Sequence, residues 1–188
     1  MQYDMLGNKM NSPGEINVKI LLKPATLDDA DLITEIKMDA SLWDYEPKED
    51  IPTDREATRA QVVKRIGSDW YKEHLIVLDD AAQTPIGELH LHWYVIERGS
   101  WEIGYCVFPQ YRGRGFCYEA AMLGLSEAFH TYKAHKVVGM CNAHNGASSH
   151  LMEKCGMRRE GVFVEELPWR GIWANQYFYG ILEREFKG

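Results

Sequence analysis

The sequence predicts an α/β protein: one mixed β-sheet with helices on both faces. Runs that alternate apolar and polar residues meander through the middle of the chain. A long helix-like run then sits between two further strand-like runs, which is the pattern of a β-α-β unit. At 188 residues the chain is long enough for one sizeable core.

The elements follow in order. "INVKILLK" alternates Ile16, Val18, Ile20 and Leu22 and reads as a first strand. Thr26 with Asp29 three residues on caps a helix running to about Ala40. The acidic, aromatic stretch "LWDYEPKEDIP" reads as a loop. Thr53 and Glu56 form a second capping box, before a helix striped by Ala60, Val63, Ile66 and Trp70. "LIVL" is a short buried strand. In "IGELHLHWYVI", Leu89, Leu91, Trp93 and Val95 share one face, and Glu88, His90, His92 and Tyr94 the other. In "WEIGYCVF", Trp101, Ile103, Tyr105 and Val107 oppose Glu102, Gly104, Cys106 and Phe108. The long helix carries Ala121, Leu125, Ala128 and Tyr132 on one stripe, and "KVVGMC" is the next strand. A short helix starts near Asn145 and stops at Gly156, a left-handed cap. Two aromatic strands around "GVFVEEL" and "WANQYFYGIL" close the chain through a "PWRG" turn. Residues 1–14 read as a polar, frayed segment and 15–188 as one domain without repeats or linker.

The net charge of −7 argues against a polyanion partner such as nucleic acid and favours a cationic one. The four cysteines, Cys106, Cys117, Cys141 and Cys155, contain no C-x-x-C pair and read as reduced thiols of a cytoplasmic protein. No apolar run is long enough for a membrane span. A homodimer is left open.

The stretch "FPQYRGRGF" joins a strand to the long helix. A helix N-terminus has backbone N–H groups without partners and a partial positive charge. Gly113 and Gly115 lack a Cβ and can take positive φ, and Arg112 and Arg114 add charge-assisted contacts. Together they make a phosphate or pyrophosphate cradle. It is not a P-loop, which needs G-x-x-x-x-G-K-[ST], nor a dinucleotide fingerprint, whose third small residue is replaced by Tyr118. Read without its surroundings, the junction could also be an ordinary strand–helix turn.

"QYRGRGF" resembles Q/R-x-x-G-x-G/A, the acetyl-CoA pyrophosphate motif of the GNAT superfamily of N-acetyltransferases. "NGASSHLMEKCGMRREG", "RGIWANQYFYGIL" and "LLKPATLDDADLI" are similar to segments of its ribosomal-protein alanine acetyltransferase (RimJ/RimL-like) branch. The resemblance covers about Lys19 to Phe186. It implies a mostly antiparallel sheet of about seven strands, splayed in the middle. It also implies acetyl-CoA as co-substrate, without a metal, and an amine acceptor that is a small molecule or a protein N-terminus. The cradle would comprise Gln110 and the backbone from Arg112 to Phe116. The pantetheine would pair with the edge at Cys106, Val107 and Phe108, and Asn145 would hydrogen-bond it. An N–H near Val107 would meet the oxyanion.

Glu102 is the first candidate for the general base, with Glu88 and His92 in reserve; a solvated strand glutamate is the alternative reading. Some RimL-like enzymes place a glutamate just before the loop, where this chain has Phe108 and Pro109. His90 and His92 lack a third ligand nearby for a metal. Met152 stands where many GNAT enzymes carry a tyrosine, seven residues after the asparagine. Ser148 matches the serine of the RimJ/RimL branch and shares a helical face with Leu151, Met152 and Cys155. Its partner would be the CoA sulfur, or a carbonyl one turn back. Trp43, Asp44, Tyr45 and Glu46 are the candidate acceptor residues, suited to cation–π and ionic contacts. A non-catalytic acyl-CoA-binding sensor, or an unrelated phosphate-ligand binder, remains as an alternative function.

Overall fold

The computed structural model describes residues 19–188. Residues 1–14 and the part of the first strand assigned to Ile16 and Val18 lie outside them. The chain runs β1 (Ile20–Pro24), α1 (Ala30–Met38), α2 (Arg55–Arg65), β2 (Tyr71–Leu78), β3 (Pro85–Val95), β4 (Ser100–Val107), α3 (Phe116–His130), β5 (Lys136–Asn142), α4 (Gly146–Lys154), β6 (Arg158–Trp169) and β7 (Ile172–Leu182). The seven strands form one sheet in the order β1-β2-β3-β4-β5-β7-β6. Every neighbouring pair is antiparallel except β4 and β5.

Side-chain alternation along the strands gives the sheet two apolar faces. One is covered by α3 and α4, where Leu89, Leu91, Trp101, Ile103 and Val107 meet Ala121, Leu125, Ala128 and Met152. The other is covered by α1 and α2, where Leu75, Val77 and Cys106 meet Ala30, Ile33, Ile36 and Val62. The predicted faces of β4, and of β3 as far as Trp93, hold; a bulge before Val95, which pairs with Ser100 where Trp93 pairs with Trp101, ends the alternation there. The cap at Gly156 holds too, at φ +87°. So does the closing turn, with Arg170 at φ 49° and Gly171 at φ 81°.

Three readings are corrected. The cap of α2 is Asp54, whose carboxylate accepts from the Ala57 N–H at 3.0 Å, and not Thr53. Its buried stripe is Thr58 and Val62, while Ala60 is exposed and Trp70 lies beyond the helix end. Thr58 can turn inward because its hydroxyl donates to the Asp54 carbonyl at 2.6 Å, so a polar residue occupies a core position. The "LIVL" strand is also longer than expected, beginning at Tyr71 and taking Lys72, Glu73 and His74 into the sheet.

Candidate active site

The cradle is built by a sharp change of backbone direction. After β4, Tyr111 N–H donates to the Phe108 carbonyl at 2.9 Å and Arg112 N–H to the Pro109 carbonyl at 3.2 Å. Gly113 and Gly115 then take φ of +74° and +86°, which residues with a Cβ seldom adopt. A Cβ on either would meet nothing within 4 Å, so the space above both is open. The N–H groups of Gly113, Arg114 and Gly115 make no backbone hydrogen bond among the described residues. Phe116, 8% exposed, anchors the start of α3 in the core, and the N–H groups of the first turn have no intrahelical acceptor. Free donors, open space and a helix dipole fit a pyrophosphate. Arg112 Nε donates to the Val107 carbonyl at 2.9 Å, leaving its two terminal nitrogens for an anion. The Arg114 guanidinium lies 5.9 Å from the Tyr111 ring centre, and Gln110 is exposed at the rim.

Beside the cradle the sheet opens. β4 and β5 pair only through Ser100–Lys136, Trp101–Val137 and Glu102–Val138. Beyond Glu102 the two strands separate. Phe108 N–H donates to Ile86 of β3 at 2.8 Å, so alternation directs the N–H groups of Tyr105 and Val107 into the gap. Cys106 and Phe108 turn their side chains to the α1/α2 side. The N-terminus of α4 borders the gap. Asn145 caps it, its side-chain carbonyl accepting from Ser148 N–H at 3.1 Å, which leaves its amide NH₂ free to donate. The Ser148 hydroxyl lies 3.5 Å from the Tyr105 hydroxyl.

The gap ends in a cleft of about 710 Å³ whose lining includes Trp43, Tyr45, Glu46, Asp50, His92, Glu102, Asn145 and Ser148. Glu102 and His92 are cross-strand partners, and their Oε2 and Nε2 atoms lie 3.4 Å apart. Glu46 is an exposed residue on the cleft wall. Partial desolvation there, with the charges of Asp50 and Glu102, shifts its pKa upward from the usual carboxylate range. Trp43 is fixed by a hydrogen bond from its indole N–H to the Ile36 carbonyl at 2.8 Å. Tyr45 stacks on Trp169 at 5.7 Å. Asp44 points away from the cleft and pairs with Arg170, its two oxygens at 2.7 and 2.6 Å from Nη2.

Beneath α1 lies a cluster the sequence reading did not assemble. Lys37 Nζ is 2.5 Å from Glu88 and 3.3 Å from Glu73, whose side chains are fully buried. It also lies 3.5 Å from His90 Nδ1. Burial would depress the Lys37 pKa, but Glu88 and Glu73 hold it well above the ordinary lysine value. Burial raises Glu73, against the opposing pull of Lys37. Burial, helped by Lys37, drops His90 to about 3, so it is neutral. Glu73, Glu88 and His90 could reach one metal ion, but the Lys37 ammonium already supplies the cation there. Glu88, a reserve base in the sequence reading, is thereby committed to Lys37 and does not line the cleft.

Residues 19–158 match the model of the acetyltransferase (GNAT) domain. The chain belongs to the GNAT acetyltransferase family. A GNAT enzyme of this kind uses acetyl-CoA as co-substrate, which the cradle and gap fit. Among its relatives is the uncharacterized N-acetyltransferase YnaD of Bacillus subtilis, 31% identical over 89% of this chain and 96% of that protein. The spermidine N(1)-acetyltransferase of Vibrio cholerae is 30% identical over 61% of this chain and 66% of that protein. A crystal structure of spermidine N-acetyltransferase from Vibrio cholerae, in complex with CoA and spermine, superposes with a TM-score of 0.81. It is 21% identical, over 90% of this chain and 99% of that one, and shares the GNAT fold. Among the described residues no helix is long and apolar enough to cross a membrane.

Proposed function

We propose that this GNAT acetyltransferase moves the acetyl group of acetyl-CoA directly onto a primary amine of a small polycationic molecule, in a ternary complex. What carries this reading is the meeting, in one cleft, of the inner end of the β4/β5 gap, the His92–Glu102 pair and an acidic, aromatic wall. Glu46, Asp50 and Glu102 supply negative charge, and Trp43, Tyr45 and Trp70 supply ring faces. A protonated amine, with a pKa of roughly 8 to 10, is drawn to such a wall. It must lose a proton before it can attack, and Glu102, backed by His92, takes it. The N–H of Val107 faces the gap and donates to the developing oxyanion. Ser148 donates to the departing sulfur. Asn145 steadies the pantetheine through its free NH₂, and the N–H groups from Arg112 to Phe116 hold the pyrophosphate.

The serine on α4 and the closing aromatic strands are the features that support a RimJ/RimL-like reading. The spermidine acetyltransferase among its relatives supports a small polyamine over a protein N-terminus. A CoA-release screen across polyamines, amino sugars and peptide N-termini tests the choice. The expected result is the highest kcat/KM with polyamines. A clear preference for peptide N-termini would overturn the small-amine assignment and leave acetyl transfer standing.

A further inference from the structure

We propose that Tyr105 is a second hydroxyl donor to the CoA sulfur, working from β4 opposite Ser148 on α4. The inference rests on the acetyl-transfer reading above. Three features point to it, of which the first is placement. Tyr105 lies beyond the last β4–β5 pair, where the strand edge is open. Its side chain leaves the strand on the face that α3 and α4 cover. Tyr105 and Ser148 both line the cleft where the gap ends, their hydroxyls 3.5 Å apart.

The second feature concerns hydrogen bonding. Among the described residues, Ser148 is the only recorded partner of the Tyr105 hydroxyl, at 3.5 Å. That distance is the outer limit for an O–H···O bond, which is usually near 2.7–2.8 Å. A buried phenol ordinarily finds a good partner. Here two hydroxyls face each other too far apart to satisfy one another, as they would if both were set to converge on a third atom. Sulfur accepts hydrogen bonds at longer distances than oxygen, and the surroundings are soft and apolar, with Cys141 and Met152 alongside.

The third feature is what α4 lacks. Met152 occupies the turn that follows Ser148 and is 1% exposed in the core, so no phenol reaches the gap from this helix. Among the described residues, the tyrosine hydroxyl within hydrogen-bond reach of Ser148 comes from the facing strand.

The chemistry follows. The amine, its first proton already passed through Glu102 to solvent, bonds through nitrogen to the thioester carbonyl carbon, and the second proton that this nitrogen sheds goes to Glu102. The C–S bond then breaks and its electron pair stays on sulfur. Tyr105 and Ser148 donate hydrogen bonds to that thiolate and keep their own protons. Burial holds the phenol well above its ordinary pKa, which suits a donor that does not ionise. CoA takes its proton from solvent afterwards.

Tyr105→Phe removes the hydroxyl and keeps the ring, so packing is preserved. Loss of one hydrogen bond to a charged atom corresponds to roughly 10- to 100-fold. The expected result is a fall in kcat of that size, with acetyl-CoA KM and melting temperature unchanged. A second readout is independent of turnover. The thiol of bound CoA, followed by its ultraviolet thiolate absorbance, should titrate about 1–2 pH units higher in the variant than in the native enzyme. Equal thiol titration in the two proteins would overturn the assignment whatever the rates. If the native enzyme binds CoA but releases none from acetyl-CoA with any amine, the acetyl-transfer reading fails, and the thiol titration still decides the role of Tyr105.

Discussion

Replacing Lys37 by methionine removes the cation that pairs with Glu73 and Glu88 beneath α1 and keeps most of the side-chain volume. Glu73 and Glu88, both fully buried, would then face each other across space that the ammonium, itself only 12% exposed, had filled with charge. Among the described residues both Glu73 oxygens and the Glu88 Oε2 atom already lack a hydrogen-bond partner, and the ionisable neighbour left would be His90, its Nδ1 3.7 Å from Glu88 Oε1. Breaking a buried pair by deleting one partner typically costs about 3–5 kcal/mol. For a chain of this size each kcal/mol lowers the melting temperature by about 2–4 °C, so the expected drop is about 6–20 °C. The loss should depend on pH. Burial already raises the folded pKa of Glu73, and removing Lys37 takes away the opposing pull. The native state then binds a proton that the unfolded chain, with glutamates near about 4.3, does not bind. Stability is fully present below that unfolded value and is lost as pH rises through the raised folded one. Denaturation of both proteins at about pH 5 and pH 8 should therefore show the larger penalty at the higher pH. A penalty below about 1 kcal/mol, or one equal at both pH values, would refute the buried-charge account.

Three further outcomes are expected. Gly113→Val puts a side chain into the open space over the cradle; losing one donated phosphate contact should weaken acetyl-CoA binding roughly 10- to 100-fold by calorimetry, and unchanged affinity would move the phosphates elsewhere. Glu102→Gln should lower kcat/KM by ~10²- to 10⁴-fold, and full activity at every pH would hand proton removal to His92 or water. Glu46→Gln should raise the amine KM and leave the acetyl-CoA KM alone. Because the Glu46 pKa is raised by partial desolvation, Asp50 and Glu102, amine affinity in the native enzyme should fall as pH drops through that raised value, and the variant should lose this dependence. An effect on the cofactor KM alone would contradict the placement of Glu46.

The parts of the fold that were legible in the sequence are those governed by local rules. The faces of β4, and of β3 as far as Trp93, followed from period-two alternation, and the turns at Gly156 and Arg170–Gly171 from residues that tolerate positive φ. The cradle was readable because its chemistry is contained in one stretch of backbone. The misreadings have the opposite cause. Thr58 is buried because its hydroxyl finds a carbonyl one turn back, which hydrophobicity does not register. Lys72, Glu73 and His74 lie outside the apolar "LIVL" run, yet Glu73 is supported in the sheet by Lys37 from α1 and His74 by Glu127 from α3. Asp44 looked like an acceptor ligand until Arg170, 126 residues away, was placed beside it. The approach of Tyr105 to Ser148 likewise spans 43 residues and has no local signal.

The three residue pairs that join β4 to β5 are where the continuous sheet stops. On one side stand β1 to β4 with α1 and α2, carrying Glu102, His92 and most of the acidic, aromatic wall; on the other stand β5, β7 and β6 with α4, carrying Ser148 and Asn145. One buried cluster runs beneath both sides, with Leu89, Ile103 and Leu125 in the same core as Val137, Met152 and Tyr179. The gap is therefore a seam kept open inside a single core, with Glu102 in the last joined pair at its closed end and Tyr105 facing Ser148 farther out.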